Sequence, residues 1–360
     1  MRITAFPRAL ERPREMPELR AALITSASDD GIWARAEFER LMTEIVGDPA
    51  MFETTKEGHR VIMGPKGYNP DDLAAHIDRA LQSSRNNIRW YREHLPEAQL
   101  IHVAPHMCEF IRQAADSVPP SLTIHRDDAP SPAGLVVFAT PMMGHDAGPI
   151  AVGSEVRVDG IFWAPVRLPG RDVPWFMDTP DEEHKIEGIS IASFHLLEPE
   201  GVVPQMWVGL GRTDWPWGDR VDDTLKGAIP DWSEVKQASL EEDRRLLAAI
   251  WATINQKLLV ETEIVFPDRH TAKRLIRAGM GDNDNRVTVV HLRKTEYRAL
   301  GTEEGTGEKL KWRTPVRKHF KRQPYGPGRK LRKIIVIMPY WRGPEDAPIR
   351  HTERIWEIDR

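Results

Sequence analysis

The sequence has a single cysteine, Cys108, among its 360 residues. One thiol cannot form a disulfide within the chain, and it gives no cysteine pair for a metal site. Proteins without disulfides are typical of the reducing cytosol. We therefore predict a cytoplasmic protein in which Cys108, next to Phe110 and Ile111, is buried and inert.

Long apolar runs are also missing. The longest, such as LLAAIWATI and KIIVIMP, fall well short of the roughly 20 residues that a membrane-spanning helix needs. The first residues, MRITAFPRALERPRE, alternate charges and prolines around no apolar centre, which is unlike a secretory signal. We expect no membrane partner and no export signal.

Cofactor and metal motifs are absent from the sequence as well. GTGEK lacks the upstream glycine of a phosphate-binding loop, so no nucleotide site is predicted. His102, His106 and Glu109 have the spacing of zinc ligands on one helix face, but Pro105 interrupts them. We interpret them as core or surface side chains and predict neither a cofactor nor a metal.

Acidic residues are missing from one segment in particular. Residues 309–333 contain eleven Lys and Arg and no Asp or Glu, whereas the whole chain has a net charge of −4. The rest of the protein is therefore strongly acidic. A concentrated basic segment attracts phosphates through long-range electrostatics and counterion release, so the sequence predicts contact with a polyanion.

The composition favours a loop-rich α+β protein. Apolar residues make up 40% of the chain and include 12 tryptophans, enough to build real cores, while 29 prolines and 25 glycines exclude an all-helical bundle. The length indicates two or three domains. We predict a helical region at 1–118, a β-rich domain at 119–235 and an α+β domain at 236–360.

The helical region is predicted from caps and periodicity. Asp29 or Asp30 is a candidate cap for one helix, and Asn69-Pro70 is the start of a second. A third is expected from about Pro96 to the residues before Pro119. In the β-rich domain, stretches such as GLVVFAT and IEGISIASFHLL indicate an antiparallel sheet or a small barrel.

The last domain combines helices and strands. Ser239 and Glu242 form a capping-box pattern, which predicts that a long amphipathic helix begins there. The strands VETEIVF and RVTVVHLRK flank a short basic helix, PDRHTAKRLIRAG. The segment PVRKHFKRQ, the turn PYGPG and the run KIIVIMP predict a basic β-hairpin with Phe320 on one face and His319 and Lys321 on the other.

Basic and aromatic residues interleave along this hairpin. Cationic side chains are suited to phosphates, and aromatic rings are suited to stacking on unpaired bases. The candidate nucleic-acid-binding residues are Trp312, Arg313, Lys318, Phe320, Lys321, Arg329, Lys330, Arg332, Lys333, Tyr340 and Trp341. An alternative is a solvated basic hairpin, or one that docks on the acidic part of the chain.

His319 adds a catalytic hypothesis. A histidine beside cations could transfer a proton at a phosphodiester while guanidinium groups stabilise the developing charge, without a metal. The candidate catalytic residues are His319, Arg317, Arg322 and Tyr325. The alternative is that His319 only adds to a binding surface.

The segment VRKHFKRQPYGPGRKLRKIIVIMPYWRGPEDAP resembles the C-terminal module of uncharacterised proteins of actinobacteria, their phages and mobile elements. That module has a V-R-G-H-aromatic-R core, a Gly-Pro-Gly turn, an apolar strand and a final R-G-P-E-x-A-P. Lys318 replaces the glycine before the histidine, which leaves less room for a ligand near the backbone. The resemblance implies a phage or mobile-element context and no particular activity.

The sequence therefore predicts a nucleic-acid-binding protein, for RNA or single-stranded DNA, of phage or mobile-element type. One alternative is a metal-independent ribonuclease or toxin that uses His319. The other is a protein-interaction subunit whose basic face binds an acidic protein partner.

Overall fold

The structure is a computed structural model. It describes residues 11–26, 86, 88–145, 155–168, 186–195, 208–221, 234–257, 259–281, 283–293, 312–316, 318–338, 340–344 and 348. The helices are α1 (Met16–Ser26), α2 (Pro105–Ala115), α3 (Glu234–Ile254) and α4 (Arg269–Arg277). The strands are β1 (Gln99–Val103), β2 (Gly134–His145), β3 (Glu155–Leu168), β4 (Ile186–His195), β5 (Val208–Pro216), β6 (Val260–Val265), β7 (Val287–Leu292), β8 (Thr314–Val316), β9 (His319–Tyr325), β10 (Leu331–Ile337) and β11 (Tyr340–Arg342).

Seven of the strands form one mixed sheet in the order β5-β4-β3-β2-β1-β7-β6. Strand β1 runs parallel to both of its neighbours, β2 and β7, and α2 makes the crossover from β1 to β2. All other pairs in this sheet are antiparallel. The predicted α+β class is confirmed. For the β-rich domain the sequence predicted either an antiparallel sheet or a small barrel, and β2 to β5 form the antiparallel part of this sheet.

Each face of the sheet is covered by a separate apolar cluster. On one face, α2 and α3 pack against side chains such as Val136, Phe138 and Trp163. On the other, α1 and the helical residues 88–94 pack against Leu135, Val137 and Phe162. Neighbouring residues of β2 thus belong to opposite clusters, which explains why that strand is a continuous apolar run.

The segment around β1 corrects one prediction. The helix expected from Pro96 is a strand at Gln99–Val103 followed by a helix that begins at Pro105. Ala104 has extended dihedrals, as the residue before a proline prefers, and Pro105 occupies the first helical turn. The change of structure therefore occurs at this proline.

Two further expectations were tested in the last third of the chain. The helix predicted to begin at Ser239 begins at Glu234, so the capping-box interpretation was wrong. The basic helix and the strands on either side of it are confirmed as β6, α4 and β7, and Asp268 caps α4 by accepting a hydrogen bond from the Thr271 amide at 2.8 Å.

The three predicted domains all contribute strands to the seven-stranded sheet. Its members include β1 from the first predicted domain, β2 to β5 from the second, and β6 and β7 from the third. The boundary predicted after residue 235 falls in the first turn of α3. The division into domains itself stays a prediction, and the helices predicted after Asp29 and Asn69 lie outside the described residues.

Candidate nucleic-acid interface

The basic segment folds as the predicted hairpin. β9 and β10 pair antiparallel from His319↔Ile337 to Tyr325↔Leu331. The turn between them contains Gly326 at φ +74° and Gly328 at φ +62°, values in the left-handed region that glycine adopts at low cost. The local sequence is therefore sufficient to reverse the chain here.

A second pair of strands continues this hairpin in the same register. β8 and β11 pair antiparallel, with Val316 opposite Tyr340. His319 and Ile337, the first pair of the hairpin, lie three residues further along each arm. The two pairs are separate two-stranded sheets in one common register, and we call them together the C-terminal ribbon (residues 314–342).

One face of the C-terminal ribbon is bound to the body of the protein. Ile334 and Val336 are each 2% exposed and belong to the apolar cluster beneath α3, and Phe320 packs against the same cluster. Phe320 lies opposite Val336 in the ladder, so these side chains share a face. We call this the inner face.

A buried carboxylate fixes the inner face in place. Asp128 is 1% exposed, and its carboxylate accepts hydrogen bonds from the Ile334 amide at 3.2 Å and from Arg322 Nη2 at 3.0 Å. It also accepts one from the His125 amide at 2.9 Å, within its own short 3-10 turn. Arg322 donates a further hydrogen bond to the carbonyl of Thr123. No local sequence pattern links Asp128 to the ribbon.

We call the opposite face of the ribbon the outer face, and its side chains are more exposed than those of the inner face. His319 and Lys321 are exposed, whereas Gln323 and Tyr325 are half-buried. The Lys333 ammonium lies over the Tyr325 ring, 5.3 Å from its centroid. The predicted alternation, with Phe320 opposite in direction to His319 and Lys321, is confirmed by the register and the burial.

The end of the ribbon projects from the body. Residues 326–332 are exposed without interruption, and they include the predicted binding residues Arg329, Lys330 and Arg332. Arg332 Nη1 donates to the Arg329 carbonyl at 2.9 Å, which ties the second strand to the turn. Leu331 is 43% exposed. We call residues 326–332 the ribbon tip.

The other end of the ribbon holds the remaining predicted binding residues. Trp312 and Tyr340 are 51% and 42% exposed, and Arg313 is half-buried. The Lys318 ammonium lies 5.5 Å from the centroid of the Phe110 ring, and Phe110 belongs to α2. Burial lowers the pKa of Lys318, and Asp116 and Glu109 oppose that shift. Trp341 pairs with Pro315 in the ladder, and its side chain lies outside the described residues.

The structure does not bring the three described candidate catalytic residues, His319, Arg322 and Tyr325, together. His319 and Tyr325 share the outer face but are six residues apart, roughly 20 Å along a strand. Arg322 belongs to the inner face, where Asp128 binds its guanidinium. Arg317 lies outside the described residues. A single phosphodiester could not contact His319, Arg322 and Tyr325 at once.

The histidine pair that resembled a zinc site is also separated. His102 is buried in β1, whereas His106 is exposed in the first turn of α2. The Glu109 carboxylate is bound by Arg112 Nε at 2.9 Å and Gln113 Nε2 at 2.6 Å. Within the described residues, no group of three His, Cys, Asp or Glu side chains is placed to hold a metal ion.

The basic helix α4 does not extend the ribbon surface. Arg274 pairs with the buried Glu18 of α1, so α4 lies with α1 on the far face of the sheet from the ribbon. Arg269, Lys273 and Arg277 are exposed there. These three cations are a natural control set for experiments on the ribbon.

Cys108 is buried in the core. Its thiol is 3.4 Å from the Val103 carbonyl, and burial raises its pKa. The predicted burial of Cys108 is confirmed, and a raised pKa favours the protonated thiol over the nucleophilic thiolate.

Comparisons of the chain with protein-family models, with curated proteins and with solved structures found no match. In the described part of the chain, no helix is both long and apolar enough to cross a bilayer. The likeness of the C-terminal module to phage and mobile-element proteins stays a prediction.

Proposed function

We propose that this chain binds nucleic acid through the outer face and tip of the C-terminal ribbon. The observation that carries the proposal is the division of the ribbon into two faces. The inner face is fixed on the body by Asp128, Ile334 and Val336, which leaves Lys321 and Lys333 on the opposite side.

The charge of the ribbon supports a polyanionic ligand. Residues 312–344 contain no Asp or Glu, so no carboxylate within the ribbon neutralises its cations. An antiparallel ribbon holds these cations at fixed spacings along a rigid backbone, whereas a basic tail would lose more conformational entropy on binding. Phosphate contacts of this kind give affinity and position without reading sequence.

The proposal includes the context expected from the sequence. A cytoplasmic location and a phage or mobile-element origin belong to it, the latter because of the resemblance of the C-terminal module. Binding, and not cleavage, is proposed because His319 has neither Arg322 nor Tyr325 beside it.

The test is the salt dependence of binding by the full chain. Replacement of Lys321 and Lys333 by Ala should lower the affinity for a labelled 30-nucleotide strand about tenfold at 100 mM salt. The slope of log affinity against log salt should become shallower by about 1.5, because two phosphate contacts are lost. Fluorescence anisotropy between 50 and 200 mM KCl measures both quantities.

The matched control removes the same charge from the far face of the sheet. Lys273 and Arg277 are exposed on α4, and their replacement by Ala should leave the slope within error of the unmodified chain. Equal losses in both double variants would show that net charge, and not the ribbon, determines binding. Absence of binding to any nucleic acid at 50 mM salt would refute the proposal.

Purification gives an independent check. A chain that binds nucleic acid should co-purify with material that raises the ratio of absorbance at 260 nm to that at 280 nm, and nuclease treatment should remove it. An acidic protein that stays bound after nuclease treatment would instead support the protein-interaction alternative.

A further inference from the structure

The ribbon tip has the shape of an element that enters a groove. All seven residues from 326 to 332 are exposed, so the body covers neither face of this segment. The last two pairs of the ladder before the turn are Pro324↔Arg332 and Tyr325↔Leu331. With a rise of about 3.3 Å per residue, the tip extends roughly 10 Å beyond the anchored pairs.

These dimensions match one kind of nucleic acid. The major groove of B-form DNA is about 12 Å wide and about 8.5 Å deep, and it accepts a two-stranded β-ribbon. A ribbon whose strands are about 4.8 Å apart fills that width once side chains are added. The A-form helix of double-stranded RNA has a deep and narrow major groove that excludes such an element.

The aromatic side chains argue against a single strand at the tip and outer face. Unpaired bases stack on free aromatic faces. On this ribbon, Phe320 packs into the core, and one face of the Tyr325 ring already holds the Lys333 ammonium. The exposed Trp312 and Tyr340 lie at the other end of the ribbon, away from the tip cations.

The anchoring of the ribbon favours insertion of a rigid element. Asp128 holds the Ile334 amide and the Arg322 guanidinium, two pairs below the tip. The hydrogen bond from Arg332 to the Arg329 carbonyl fixes the turn itself. A tip held in this way loses little further freedom when it enters a groove.

We propose that the ribbon tip inserts into the major groove of double-stranded B-form DNA, with Arg329, Lys330 and Arg332 on the phosphates that border the groove. This inference rests on the proposed function, and it replaces the RNA or single-stranded DNA expected from the sequence with a duplex. The exposed Leu331 then faces the groove floor, where thymine methyl groups accept apolar contact.

The first test compares three ligands of the same sequence on the full chain: a 30-bp DNA duplex, either of its single strands, and the corresponding RNA duplex. At 150 mM salt, the DNA duplex should bind at least tenfold more tightly than the other two. Single-stranded DNA or duplex RNA that binds as tightly as the DNA duplex would overturn the inference but leave the proposed function standing. Failure of all three to bind, even at 50 mM salt, would remove both.

The second test locates the contact on both molecules. The triple variant R329A/K330A/R332A should lose at least tenfold in affinity for the DNA duplex, and the control R269A/K273A/R277A should lose less than threefold. Because Arg329, Lys330 and Arg332 are exposed and belong to neither apolar cluster, the thermal unfolding of the triple variant should match that of the unmodified chain. Equal losses in the two variants would overturn the inference.

Chemical protection identifies the groove. Dimethyl sulfate methylates guanine N7 in the major groove and adenine N3 in the minor groove. Bound protein should protect guanine N7 and leave adenine N3 reactive. The reverse pattern would overturn insertion into the major groove.

Discussion

Replacement of Asp128 by Asn is expected to lower the free energy of unfolding by about 3 kcal/mol, because one partner of a buried ion pair is removed. An amide has the same shape as the carboxylate but presents N–H groups as well as an oxygen. Its NH₂ group would face either the Ile334 amide or the Arg322 guanidinium, both of which are donors. Since the Arg322 side chain is 26% exposed, water compensates part of the loss, so the low end of the usual range applies.

Urea unfolding measures this loss, and the neighbouring Asp127 provides the control. Asp127 is exposed, so Asp127→Asn should change the unfolding free energy by less than about 0.5 kcal/mol. The double variant D128N/R322M should be less destabilised than the sum of the two single variants. Hydrogen exchange gives a local readout, because the Ile334 amide should lose protection. Equal stability of D128N and D127N would show that Asp128 does not anchor the ribbon.

Replacement of Arg20 by Met is the second large effect, also expected at about 3 kcal/mol. Arg20 is 1% exposed on α1, and burial lowers its pKa to about 10, so it is still protonated at neutral pH. Its guanidinium donates to the Ala98 carbonyl at 3.1 Å, to the Asp284 carbonyl at 3.0 Å and to Asn285 Oδ1 at 2.8 Å. Met fills the volume but leaves these acceptors without their donor.

Two opposing effects decide the size of this loss. Removal of a buried cation recovers its desolvation cost, whereas three charge-assisted hydrogen bonds of about 1.5–3 kcal/mol each disappear. The lost bonds outweigh the recovered solvation. Arg20→Lys should restore only part of the stability that Arg20→Met loses. A Lys ammonium does not reproduce the planar arrangement of N–H donors in a guanidinium. The exposed Arg14 is the control, and Arg14→Met should be neutral in urea unfolding. If R20M had the same free energy of unfolding as the unmodified chain, the three hydrogen bonds of Arg20 would not stabilise the fold.

Features fixed by neighbouring residues could be predicted from the sequence. The turn of the ribbon was predictable because Gly326 and Gly328 supply the positive φ angles that the reversal needs. Likewise, α4 was predictable because Asp268 caps it within three residues. The alternation along β9 was predictable because side chains of a strand point to opposite faces.

Features that depend on distant residues were not predictable. β1 is a strand because it lies between β2 and β7, and its Gln-Leu-Ile-His-Val sequence taken alone does not exclude a helix. The binding of Arg322 by Asp128 joins residues 194 positions apart, and no periodicity records such a pair. The sequence therefore predicted the cations of the candidate site but not that Arg322, one of them, holds the ribbon on the body.

The distance along the chain between Asp128 and its partners also sets an order of events during synthesis. Arg322 and Ile334 follow Asp128 by 194 and 206 residues. At about 5–20 residues per second, roughly 10 to 40 s pass before the first of these partners is made. β7, which completes the pairing of β1, is also translated before the ribbon. The C-terminal ribbon is thus synthesised after the strands of the seven-stranded sheet, and Asp128 can accept hydrogen bonds from Arg322 and Ile334 only after that.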